Sequence, residues 1–184
     1  MCIRDSYYPI DPEKSKVSIW CTPGAKDFKV DISIVANPKP RHEWSAVRPP
    51  TLVLYGFKFS KTWRDLVGFK TKISTDWNDG DDESGNFYDG IHQRTNDHEI
   101  EFVSLKDNKF RIRWRCLVGD YKHSAIPTEI DAHVNFCDVY VSNQHKLIAL
   151  DEAKKVVQEH FDLDEFEEPK YTNSQKTTVV FKLK

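Results

Sequence analysis

The run Phe28-Lys-Val30-Asp-Ile32-Ser-Ile34 trades apolar for polar residues at every step, and Phe110-Arg-Ile112-Arg-Trp114-Arg-Cys116 does the same. Period-two alternation puts one set of side chains on one face of an extended strand and the other set on the opposite face. A helix would scatter these apolar positions around its circumference, so both runs are read as strands with one buried face. Weaker strand segments are predicted at Val17 to Trp20, Thr51 to Phe59, Phe69 to Ser74, Glu99 to Leu105 and Glu129 to Val141, each bounded by Pro, Gly, Asn or Asp. Seven strands are thus expected ahead of the first helix.

The segment Leu105-Lys-Asp107-Asn108-Lys109-Phe110 reads as a hairpin turn. A two-residue loop in perfect register would turn Ile100 and Phe102 outward. A three-residue loop with a bulge instead buries them beside Trp114 and Cys116 and sets Glu99 and Glu101 among Arg111, Arg113 and Arg115. The bulged version is expected, because it keeps two large apolar residues from water and opposes unlike charges.

Leu150, Ala153, Val157 and Phe161 recur at helical spacing behind the acids Asp151 and Glu152, which predicts one amphipathic helix over about 149 to 161. Thr177 to Leu183 then resumes strand alternation. The expected fold is mainly β: an antiparallel β-sandwich, or a strongly curved sheet, with one C-terminal amphipathic helix and a final strand. No internal repeat or low-complexity tract divides the chain, so residues 7–184 are read as one domain. Met1 to Ser6 share no pattern with the rest of the chain and resemble a translated adapter, a non-native scar outside the fold.

The chain of 184 residues carries 27 Lys+Arg against 29 Asp+Glu, a net charge of −2, which lacks the basic excess of a dedicated nucleic-acid binder. No stretch nears the roughly 20 apolar residues of a membrane-spanning helix. Setting Cys2 aside, Cys21, Cys116 and Cys137 are odd in number and show no metal-ligand spacing, which points to free thiols and a cytoplasmic compartment, with a Cys116–Cys137 bridge as the alternative in an oxidising one.

Three segments offer candidate binding residues. The stretch 36–50 holds four prolines and no strand pattern, and within it Trp44 could anchor a partner with Arg41, His42 and Arg48 around it; the simpler reading pins Trp44 to the core. The stretch 76–83 concentrates five acids, with Trp77, Asp79, Asp81 and Asp82 as candidates. It fails the EF-hand pattern, since Gly80 as sixth position would make Thr75 the first and Trp77 the third, so a solvated turn is the simpler reading and no metal is assigned. The third is the row Arg111, Arg113, Arg115, which could bind phosphate or an acidic partner but lies beside enough carboxylates to read as a solvated charge ladder.

Catalytic motifs are missing: there is no H-E-x-x-H, no G-x-S-x-G and no Gly-rich phosphate loop. The leading expectation is therefore a non-catalytic β-rich binding module, without cofactor, for a protein partner or extended ligand. Two versions are a bacterial immunity-type protein presenting acids at 76–83 and 162–168, and a carbohydrate-binding module stacking sugars on Trp44, Trp63 or Trp77. The rival is a small hydrolase or metal-dependent enzyme in which Asp89, His92 and His98 converge.

Overall fold

In a computed structural model of the chain, which describes residues 2, 3, 6, 7, 9–37, 49–74, 84–88, 92–119, 125–143 and 146–184, the alternating runs become long paired strands. In chain order these are β1 (Cys2–Ile3), β2 (Ser6–Tyr7), β3 (Lys16–Cys21), β4 (Phe28–Val35), β5 (Thr51–Phe59), β6 (Lys70–Ile73), β7 (Ser84–Tyr88), β8 (His92–Lys106), β9 (Lys109–Val118) and β10 (Ile126–Ser142). They are followed by α1 (Leu150–Gln158), β11 (Lys170–Tyr171) and β12 (Thr178–Lys182). Mainly β is what the sequence predicts.

The sheet does not form a sandwich. Strands β3, β4, β5, β7, β8, β9 and β10 pair in that order, and β10 pairs back to β3, closing a seven-strand barrel. Six of these contacts are antiparallel and the β3–β10 seam is parallel. A ring with an odd number of strands cannot alternate direction all the way round, so one parallel pair is a geometric necessity. β6 joins the edge of β8 beyond β7, and β12 and β1 join opposite edges of β10. The Cys2–Ile3 pair, within the stretch that sequence pattern leaves out of the fold, thus lies on the sheet.

Closure is made by bulges, each of which adds a residue to one strand and bends it. In β5, Tyr55 and Gly56 together oppose Asp31, with Gly56 at φ 78°. This slip lets Leu52 and Leu54 before it and Phe57 and Phe59 after it all point inward. β8 slips at Asp97 (φ 49°) and again at Val103, and β10 slips at Cys137. The hairpin predicted at 105–110 has the two-residue loop after all, Asp107-Asn108, both at positive φ as a type I′ turn requires. The face assignment nevertheless follows the bulged version, because Val103 supplies the extra residue inside the strand: Ile100 and Phe102 are buried, Glu99 opposes Arg115 and Glu101 opposes Arg113.

The interior is filled. Trp114, Phe102, Phe110, Phe28, Ile112, Ile32 and Leu54 are all below 2% exposed. One end is aromatic: Phe28 meets Phe59 and Phe161, and Trp63 stacks on Phe136 at 4.5 Å. Phe161 follows α1, whose Ala153 and Val157 are buried, so the helix stoppers this end. At the opposite end β4, β7 and β9 finish. Cys116 and Cys137 are free thiols. Cys116 lies opposite Thr128, nine residues up β10 from Cys137, roughly 30 Å at strand rise, so no bridge joins them.

Candidate functional site

Among the residues nominated from sequence, Arg41, His42, Trp44 and Arg48, then Trp77, Asp79, Asp81 and Asp82, and also Asp89, lie outside the described residues. Trp63, proposed as a sugar platform, is 2% exposed and belongs to the core. The acids at 162–168 have structural partners: Arg64 pairs with Glu165, Lys154 reaches Glu168 at 3.2 Å, and Asp162 accepts the Asp164 N–H at 3.0 Å.

His92 and His98 take opposite environments. His92 is exposed at the start of β8, its ring 5.0 Å from that of Tyr88. The bulge at Asp97 shifts the phase of β8 and turns His98 inside the barrel, where it is 0% exposed. There the Trp114 indole N–H donates to His98 Nδ1 at 3.0 Å, which fixes the proton on Nε2, facing Thr95 Oγ1 at 3.3 Å. Burial pushes the His98 pKa down to about 4, so the ring is neutral at physiological pH. Gly85 of β7 crosses directly over this group: a Cβ there would stand 2.2 Å from Thr95 Oγ1 and 2.6 Å from His98 Nε2. His98 is a sealed, satisfied part of the core.

The outer face of β6, β8, β9 and β10 is a charge lattice. Strand pairing lines up Lys72, Glu99, Arg115 and Glu129 in one rank and Lys70, Glu101, Arg113 and Asp131 in the next. Along a rank the sign alternates, and neighbours pair: Lys72 with Glu99, Lys70 with Glu101 at 3.0 Å, Arg115 with Glu129 at 3.1 Å. Arg111 forks onto Asp131 with two bonds of 2.8 Å, and this guanidinium holds the Asp131 carboxyl below its usual range. With each Arg engaged by a carboxylate, the row is a ladder of paired charges on the outer face.

A different surface lies on the far side of the barrel, over β3, β4, β5 and β10. Outward residues Lys16, Ser18, Trp20, Asp31, Ser33, Val53, Tyr55 and Tyr140 line a shelf of about 230 Å³. Trp20 and Tyr140 stand opposite one another across the parallel seam, rings stacked at 4.5 Å and 16°. Tyr55 is pushed out by the β5 bulge and is 44% exposed. Between these aromatics the floor is polar, with Ser18 only 6% exposed although it points away from the barrel core. Asp31 accepts the Gly56 N–H at 2.8 Å, and burial raises its carboxyl pKa, offset in part by that bond and by the nearby Trp20 N–H. The Trp20 N–H itself is buried and makes no hydrogen bond of good geometry. Tyr140 donates to Asp138 at 3.0 Å, and burial first, then that carboxylate, pushes its pKa up to about 12.

Sequence reasoning missed this shelf because its residues are spread over four strands. A signal existed in Thr51–Phe59: the apolar phase slips across Tyr55-Gly56, and a glycine inside a strand marks a bulge that re-aims its neighbour. No protein-family profile, curated protein or solved structure matches the chain.

Proposed function

We propose that this chain is a non-catalytic binding module whose ligand lies on the outer shelf of β3, β4, β5 and β10. The observation that carries the reading is the polar floor between the exposed Tyr55 ring and the half-buried Trp20–Tyr140 stack on the outside of a filled barrel. An outer strand face with no role beyond solubility is expected to look like the lattice on β8 to β10, with each charge paired and the rings turned inward. The shelf instead leaves the Tyr55 ring exposed beside two serines, a lysine and a half-buried carboxylate with acceptor capacity left over, which is the composition of a binding site: apolar walls with a few placed polar groups.

The enzyme reading needs Asp89, His92 and His98 to converge, and with His98 sealed in the core and His92 exposed the two histidines do not form a concave site. An immunity-type role draws no support from Asp162, Glu165 and Glu168, which are engaged within the fold. No described helix is long and apolar enough to cross a membrane.

A substitution that fills the shelf from its floor tests the reading. Ser33 points outward from β4, so Ser33→Arg blocks the shelf while leaving the barrel interior untouched. In ligand-observed NMR with a panel of small neutral, cationic and anionic probes, those that bind the wild type are expected to lose their saturation-transfer signal on Ser33→Arg. Signals that persist at full strength on a folded variant would place the binding face elsewhere.

A further inference from the structure

We infer that the shelf takes a neutral saccharide chain, an inference that rests on the binding reading above. Lys16 and Asp31 are the charged groups among the lining residues, Lys29 and Asp138 flank them, and each pair cancels, so no net field selects an ion of either sign. A quaternary cation needs ring faces arranged around it, but Trp20 and Tyr140 are stacked on one another at 4.5 Å, which closes the faces they share, and Lys16 sits on the same shelf. An anion would meet the Asp31 carboxylate. A purely apolar ligand would strand that carboxylate away from water without replacing its partners.

Sugar hydroxyls both donate and accept, which matches what the shelf offers. Asp31 keeps one oxygen on the Gly56 N–H and has acceptor capacity to spare. The Lys16 ammonium is a donor, and Ser18 and Ser33 can act either way. Tyr55 supplies an exposed ring on which the apolar C–H face of a sugar can stack. A volume of about 230 Å³ is below the roughly 300–1,000 Å³ of clefts that enclose a whole small molecule. The shelf therefore holds one or two sugar units of a longer chain that crosses it.

The test is calorimetric titration of the folded protein with cellohexaose, xylohexaose, mannohexaose and N-acetylchitohexaose, alongside tetramethylammonium and inorganic phosphate. At least one neutral hexaose is expected to bind, weakened about tenfold by Tyr55→Ala and several-fold by Asp31→Asn, which keeps an acceptor for the Gly56 N–H. Circular dichroism confirms that both variants are folded. Hexaose binding unchanged in both variants overturns the assignment of this site. Binding of the cation or the anion alone, lost in Ser33→Arg, overturns the saccharide while leaving the shelf as the binding face. No binding by any probe overturns both readings.

Discussion

His98 shows how one buried side chain sets a pH limit on the molecule. Its ring is held neutral with a folded pKa of about 4, against about 6.5 in an unfolded chain, because burial disfavours the charged form. The unfolded state takes up the proton first as pH falls, so the stability gained by burying a neutral ring is complete above about 6.5 and is lost progressively down to about 4. The loss amounts to about 3 kcal/mol over that interval. Urea denaturation at pH 7.5 and pH 4.5 is expected to show most of it, and an imidazole titration with its midpoint near 6.5 would contradict the account. This histidine was visible in the sequence as a member of a His/carboxylate cluster, but its direction was not. Strict alternation fixes which side of a strand a residue faces only while the register holds, and the extra residue Asp97 turns His98 inward.

At the scale of the strands, two outer faces of the same barrel differ in composition: one is a lattice of paired charges, the other the shelf we propose as the binding face. The lattice on β8, β9 and β10 was legible from residue spacing, since Arg111, Arg113 and Arg115 alternate with inward apolar residues and the facing carboxylates follow from the hairpin. Its pairs are individually weak: the Arg113 side chain is 52% exposed and its carboxylate contacts are 3.5 and 3.7 Å. Arg113→Ala is therefore expected to change stability by less than about 1 kcal/mol in denaturant titration and to leave saccharide binding as it is. A loss several times larger would mean that the lattice holds the barrel together. The shelf was not legible, because proximity between Trp20 of β3 and Tyr140 of β10 depends on a parallel seam joining strands over a hundred residues apart in sequence. No local pattern encodes such a pairing.

For the whole molecule, the step from the expected sandwich or strongly curved sheet to the observed closed barrel comes down to bulges. Straight alternating strands can pack as two layers, whereas repeated slips at Gly56, Asp97, Val103 and Cys137 bend the sheet until β10 reaches β3. Those slips are present in the sequence as breaks in apolar phase, but each is one residue wide and reads as noise beside the long regular runs. Closure fills the inside with aromatic and branched side chains, and α1 with Phe161 stoppers the aromatic end. A filled interior leaves the outer wall as the face on which the proposed binding must occur. The direct test is a protein-observed NMR titration with the neutral hexaoses, following backbone amides. The account predicts perturbations clustered at Ser18, Trp20, Asp31, Ser33, Tyr55 and Tyr140, with His98, Trp114 and the Arg111–Arg115 row unmoved. Perturbations centred on the barrel interior or on the charge lattice would contradict it.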